Sequence, residues 1–399
     1  MIILEALNAL YGDCLILRYT DEQSTREITW VIDGGPRAEK IDGKPFAVWK
    51  DALLPRLREL TNERPIPIDL GMVSHIDDDH INGLQKVTNI LSAAGPGNPA
   101  ELKFARFWFN SFEAIIGHSA VQGLSADGLQ PQNLGAAFKI HIDDEEAEAV
   151  IESVGQGISL AADLGKLHLA SNTPINGLIC SAKGQEPIKL DGAQIIILGP
   201  RKDRLDALRE EWTKALQKPT KEAREAAIAS LFLPDSKLDK SVPNLSSLAM
   251  LVKIRGKRIL LTGDAQGKDL AEAWDEIGLS DEDTAVDILK IPHHGSARNN
   301  PEIFLRKFPA KHYVISADGK YDNPDAQVVE AIVAINKGRG FTIHFTNGSV
   351  KWGEPYKTQS GVTVGNLSAL VSQLQKDYGT AWNTVFRESE SSYVAVTLE

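Results

Sequence analysis

Cysteine is nearly absent from this 399-residue chain, which has only Cys14 and Cys180. Two thiols cannot build a disulfide scaffold, and their spacing offers no C-x-x-C metal knuckle, so a reducing compartment is expected. Long apolar runs are missing too: nothing approaches the roughly 18 residues of a membrane span. The opening MIILEALNALYGDCLILRY has no basic leader region and no small-residue cleavage site, and Glu5 and Asp13 interrupt it. It reads as an opening β-hairpin, and a cytoplasmic protein with no membrane partner is expected. Positive charge is also short, with 43 Lys and Arg against 54 Asp and Glu, a net −11. That balance excludes a general nucleic-acid coat protein. It leaves room for an enzyme with a local basic cleft, or for one whose carboxylates face bound metal ions. With 42% apolar and 24% charged residues, the composition is that of an ordinary globular protein, which excludes disorder and fibrous repeats.

What is present is an alternation of strands and helices. Short β-rich segments at Ile2–Ala6, Cys14–Tyr19 and Ile28–Ile32 are followed by a helical pattern over Val48–Glu59, a strand at Ile68–Ser74, a helix over Ile81–Ala93 and a strand at Phe104–Phe109. From 111 to 190 the pattern loosens into short, weakly amphipathic helices, read as an insertion or lid. A buried strand, Ala193–Leu198, precedes a charged helical stretch over 201–230. Strands return at Ser247–Ile254 and Arg258–Thr262 around the turn Arg255-Gly256-Lys257, then alternate with helices to about 345. The second half repeats the style of the first, so an α/β architecture of two facing sheet-and-helix halves is expected. A main domain over 1–355, with insertions near 111–190 and 201–240, and a C-terminal extension over 356–399 packed on it, are the expected divisions.

Histidine is scarce as well, nine in all, yet four fall in two short clusters that each follow an apolar strand. The first is Ser74-His75-Ile76-Asp77-Asp78-Asp79-His80. In an extended segment alternate residues face the same way, so His75, Asp77 and Asp79 can converge while His80 enters from the next helix. A helix cap would explain one of these acids, but not three bracketed by two histidines. The second piece is the strand Ile259–Thr262 ending in Gly263-Asp264, where a carboxylate can bridge two cations. The third is Leu289-Lys290-Ile291-Pro292-His293-His294-Gly295-Ser296. All three lie at strand ends, where α/β sheets build their sites.

With these segments the chain resembles the metallo-β-lactamase fold, and within it the branch of hydrolases like the nuclease-like domain of the competence protein ComEC. His75-x-Asp77-x-Asp79-His80 stands for the HxHxDH motif, Thr262-Gly263-Asp264 for the bridging aspartate, and Leu289 to Ser296 for the LKxxHHGS signature. Gly12-Asp13-Cys14, Ile32-Asp33-Gly34-Gly35 and Asn244-Leu245-Ser246-Ser247-Leu248 are supporting matches. The resemblance implies a four-layer αβ/βα sandwich with two divalent metal ions at its edge. His75 and Asp77 would hold one ion, Asp79, His80 and one of His293 or His294 the other, and Asp264 would bridge. Asp79, His293 and His294 would be the residues at the chemistry, with the spare member of the histidine pair protonating the leaving group.

Two departures accompany the match. Asp77 replaces the motif's second histidine, and the harder ligand set admits Mn²⁺ or Mg²⁺ as well as Zn²⁺. The additional histidine of the family has no clear counterpart; His118, His141 and His168 lie in the insertion, and Asn110 or the strand end at Gly199-Pro200 could take its place. Asn323, in Tyr321-Asp322-Asn323-Pro324, stands where the branch has a histidine, and is a candidate substrate contact together with Lys290 and Ser296; Arg298 and Lys320 could add positive charge. The expected activity is a metal-dependent phosphodiesterase or nuclease acting on an anionic phosphodiester, nucleic acid included. Hydrolysis of a small phosphodiester or nucleotide, and a non-catalytic scaffold, are the competing readings. The branch's occurrence in operons beside a protease implies an operon-encoded protein partner.

Overall fold

Alternating apolar residues in the first segments form an antiparallel run of β1 (Ile2–Leu7), β2 (Leu15–Thr20) and β3 (Glu27–Ile32), after which β4 (Leu70–Met72) and β5 (Phe107–Trp108) add in parallel. The computed structural model describes residues 1–22, 24–41, 43–94, 100–117, 122, 145–229 and 246–399. A second, eight-stranded sheet contains β6 (Ile188–Leu190), β7 (Ala193–Gly199), β8 (Ala249–Ile254), β9 (Lys257–Leu261), β10 (Val286–Lys290), β11 (Ala310–Ile315), β12 (Thr342–Phe345) and β13 (Asn383–Phe386), in that order. It is antiparallel as far as β9 and parallel from β9 to β13. The last strand, β14 (Tyr393–Leu398), returns to the first sheet and pairs with β1, making six strands there.

Three apolar cores define the layers. One contains Leu4, Leu17, Trp30 and Met72 from the first sheet together with Ile195, Met250, Ile259 and Ile288 from the second, so the sheets pack face to face. The outer face of the first sheet is covered by the helices Leu54–Leu60, Asp78–Ala93, Glu145–Lys166 and Lys202–Leu216. The outer face of the second is covered by Gly267–Ile277, Ala326–Ile335 and Leu367–Tyr378. The result is an α/β sandwich of four layers, the arrangement the sequence resemblance implied.

Local differences from the sequence reading have physical causes. The segment 68–74 divides at Asp69, whose buried carboxylate accepts from Thr29 N and Arg26; Ile66–Ile68 pairs instead with Leu102–Phe104 in a small sheet of their own. The charged stretch over 201–230 is two helices, Lys202–Leu216 and Lys221–Ala229, because Pro219 has no N–H to continue the first. The 111–190 segment contains one long helix, Glu145–Lys166, which packs on Asp78–Ala93 through Asp163 to Asn89 and Ser92 and through Gln156 to Asp78. Residues 356–399 supply an edge strand to each sheet and a helix to one outer layer. No helix among the described residues is long and apolar enough to cross a membrane.

Candidate metal centre

Every strand that feeds the site ends in a turn held by backbone hydrogen bonds. β4 runs into Val73-Ser74-His75, and the following helix begins at Asp78. Asp77 occupies the N-cap position, yet its side chain makes no capping bond. Its Oδ2 lies 3.5 Å from His75 Nε2 and its Oδ1 is buried without a partner. Asp78 faces the other way, onto Arg37, Asn82 and Gln156. The extended alternation therefore stops at Asp77; Asp79 and His80 arrive from the first helical turn. That helix sits close because Gly83 meets Gly34 backbone to backbone: a Cβ at Gly83 would stand 1.9 Å from the Gly34 carbonyl oxygen.

β9 ends in Thr262-Gly263-Asp264, with Asp264 N donating to Ser247 Oγ, which gives Ser247 of the sequence motif a role. His293 N donates to Gly263 O, docking the turn after β10 onto the turn after β9. Both His293 and His294 have positive φ, 47° and 54°, a conformation that non-glycine residues adopt only under surrounding constraint. Asn323 lies in the loop docked on this turn: Pro324 packs against Gly295, and Asp325 N donates to Gly295 O.

The four imidazoles share one polarity. His80 Nδ1 lies 2.9 Å from Asp33 Oδ2, His294 Nδ1 lies 2.9 Å from Ser316 O, and His293 Nδ1 lies 3.0 Å from Asn299 Oδ1. Asn299 uses its Nδ2 on Asp264 O, so its Oδ1 accepts. His75 Nδ1 lies 3.0 Å from Ser74 Oγ, which donates to Asp33 Oδ2. In each ring Nδ1 is the donor, and the Nε2 lone pair turns inward. Around Asp264 these distances are 3.2 Å for His80, 3.5 Å for His294, 3.6 Å for His293 and 3.9 Å for His75. Asp79 Oδ2 lies 3.1 Å from His294 Nε2 and 3.8 Å from His80 Nε2.

Inward lone pairs facing carboxylates need positive charge between them. Asp79, His80, Asp264 and His294 bring one ligand atom each within 4.8 Å of the others, a group able to hold a metal ion. Beside it His75 Nε2, Asp77 Oδ1 and Asp264 Oδ1 are buried without a hydrogen-bond partner. Such orphaned acceptors are costly unless a cation satisfies them. Burial alone would keep His294 neutral, but Asp264 and Asp13 outweigh it and raise its pKa to about 10; His80 is raised well above its usual value by Asp264, Asp79 and Asp33 against the same penalty. Burial likewise opposes ionisation of Asp79, yet His80 and His294 lower it to about 2, and Asp264 is held well below the carboxylate range by the same rings and His293. At Asp77 burial prevails and pushes the carboxyl up.

Several sequence-stated positions take other places. Lys290 is buried at 1% exposure with Nζ 2.6 Å from Asp13 Oδ2, so its ammonium neutralises a buried carboxylate and is not presented to substrate. Ser296 is buried in the turn, where its carbonyl accepts from Asn300. Lys320 is tied to Glu39 and lies over the Tyr11 ring. Asn110 spends both amide ends on the backbone of Ile179, and His168 is exposed, so neither supplies the additional histidine that the resemblance implies; His118, His141, Asn244 and Leu245 lie outside the described residues. The sequence reading assigned no role to Asp13 and Asp33, which form a second buried group with His80. Asp33, at φ 60°, belongs to one of the supporting motif matches, and its carboxylate orients His80 and Ser74. Ser316 acts through its carbonyl and leaves no side-chain signal.

No family model matches this chain, and no curated protein does. Among solved structures, the diiron β-hydroxylase CmlA from Streptomyces venezuelae aligns with 100% of this chain and 54% of its own at 11% identity and a TM-score of 0.36. This chain thus spans about half the length of CmlA. The metallo-β-lactamase fold protein YhfI from Bacillus subtilis aligns over 99% of both chains at 10% identity and a TM-score of 0.37. At such scores these likenesses carry no weight for the chemistry of this chain, and the four-layer architecture rests on its own sheets and cores.

Proposed function

We propose that this chain is a metal-dependent phosphodiesterase of the metallo-β-lactamase type, nuclease-like as in the ComEC-like branch its motifs resemble. The observation that carries the reading is the common polarity of His75, His80, His293 and His294, whose Nε2 atoms surround Asp264 while their Nδ1 atoms are tied down behind. In this reading His75 and Asp77 would hold one divalent ion and Asp79, His80 and His294 a second, with Asp264 within reach of both sets. Bound there, two such ions would supply charge neutralisation for a phosphodiester and would lower the pKa of water. The oxygen-rich donor set suits Mn²⁺ or Mg²⁺ as well as Zn²⁺.

The protein's own groups do the rest. Asp33, Ser74 and Ser316 fix the rings, so no donor has to reorganise during reaction. His293 is the most open of the four rings, with 19% of its side chain exposed, and Asn299 holds its Nδ1. In this reading a proton taken up at its Nε2 would pass to the leaving oxygen. Arg298, exposed in the same loop, would add positive charge for an incoming phosphate. The experiment is hydrolysis of bis-p-nitrophenyl phosphate across Mn²⁺, Mg²⁺ and Zn²⁺, comparing the natural chain with Asp264→Ala. Cleavage that needs metal and disappears in the variant is expected; equal rates in both would place the chemistry elsewhere. A dinucleotide and a single-stranded DNA as further substrates separate small phosphodiesters from nucleic acid.

A further inference from the structure

The second sheet has another constructed end. Its parallel strands β9, β10 and β11 deliver Asp264, the His293-His294 turn and Ser316 at their carboxyl ends. At their amino ends a cavity of about 440 Å³ opens. A five-residue strand spans about 17 Å, so the cavity and the metal centre lie on opposite edges of the sheet. Its lining is cationic: Arg255, Lys257, Arg258, Lys311 and Arg339, with Asp287 as the carboxylate among them. Asp287 is already engaged, accepting from Arg258 N and from Lys311 Nζ at 2.8 Å each. The Arg258 guanidinium is held by Asp283 and the carbonyl of Ala285. Arg255, Lys257 and Arg339 form no ion pair among the described residues. On the same wall the side chain of Asn336, 1% exposed, leaves its Oδ1 without a partner.

Arg255 and Arg339 have no carboxylate partner among the described residues and Lys257 shares only the already engaged Asp287, so one concavity gathers excess positive charge in a chain of net charge −11. Like charges brought together without counter-charge repel, and the arrangement is relieved by an anion. A nucleic-acid backbone is tracked by an extended basic stripe, whereas these cations line a single concavity of about 440 Å³, a size that takes a small ligand. We propose that the cavity lined by Arg255, Lys257 and Arg339 is a binding site for a small phosphate-bearing molecule, separate from the metal centre. Arg255 and Arg339 present the planar donor forks suited to phosphate oxygens, and Lys257 adds a point charge.

The test is calorimetric titration of the full chain with pyrophosphate, repeated with Arg255→Gln/Arg339→Gln and with Asp264→Ala. Both arginines are exposed, so the double variant keeps its fold, which circular dichroism and the melting temperature check. Saturable binding at one site per chain is expected, retained in Asp264→Ala and weakened roughly tenfold or more in the double variant, the size of effect that charged hydrogen bonds produce. Binding that is absent, unchanged in the double variant, or lost in Asp264→Ala overturns the proposal. Titration with a single-stranded oligonucleotide supplies the other arm: if it alone binds through Arg255 and Arg339, the cavity is part of a polymer track and not a small-molecule site.

Discussion

At the residue scale the centre is governed by what stands behind each ligand atom. His294 and His293 are adjacent in sequence and unequal in surroundings. His294 is buried, tied to Ser316 O, and faces Asp79, Asp264 and His80 together. His293 is partly exposed, its Nδ1 held by Asn299 and its Nε2 3.6 Å from Asp264. His294→Ala should therefore lower the metal content of the purified protein, whereas His293→Ala should keep the metal and lower the rate of phosphodiester cleavage by roughly 10²-fold or more, the usual contribution of a positioned acid. Metal analysis alongside kinetics distinguishes them, and loss of metal in both would remove His293 from its role as proton donor. The residue types at this centre were readable beforehand, because His and Asp at alternating spacing after a strand have few other uses. Lys290 was not: a lysine beside a motif reads as a surface charge, and only the fold shows Asp13 buried against it at 2.6 Å.

At the element scale the helix Asp78–Ala93 is the part on which the centre depends, since it carries Asp79 and His80 and is set by contact rather than by its own sequence. Its apolar spacing announces a helix from Ile81 onward, whereas the preceding turn from Asp78 is polar and carries no apolar periodicity. What places the helix is the passage of Gly83 over Gly34, with Gly34 N donating to His80 O. Gly83→Ala puts a methyl into backbone that cannot rotate away. A loss of roughly 3 kcal/mol in stability is expected in urea unfolding, at the upper end of overpacking costs, together with weakened metal binding. A variant with unchanged stability would mean that the helix is free to slide, and the site's rigidity would then need another source. Short segments such as Ile66–Ile68 and Leu102–Phe104 escaped the sequence reading because a three-residue strand has too little periodicity to separate it from its neighbours.

At the scale of the whole molecule, stability depends on groups far from the metal. His344 on β12 is buried, its pKa lowered to about 4 by burial and by the adjacent His312 ring, whose Nδ1 lies 3.1 Å from His344 Nε2. The unfolded chain takes up this proton near 6.5, the folded chain only near 4, so the unfolded state binds more protons between those values. The stability of the neutral form is intact above about 6.5 and is lost as pH falls toward 4, on the order of 3 kcal/mol at most. His344→Asn should flatten the difference in melting temperature between pH 7 and pH 4.5 relative to the natural chain; parallel curves would assign the acid sensitivity to other groups.

Read alone, the chain determined its α/β class, the strand ends where chemistry would gather, and the identity of the acids and imidazoles there. These are local properties, encoded in periodicities of a few residues and in unusual clusters of polar side chains after apolar runs. Only the tertiary structure decided which nitrogen of each histidine points inward, which acid caps a helix and which does not, and which cations are already neutralised. The same holds for the basic cavity: Arg255, Lys311 and Arg339 are far apart in sequence, and the parallel register of β9 to β12 brings their strand ends to one edge. Convergence of that kind is fixed by long-range strand pairing and face-to-face packing, for which no short stretch of sequence carries the pattern.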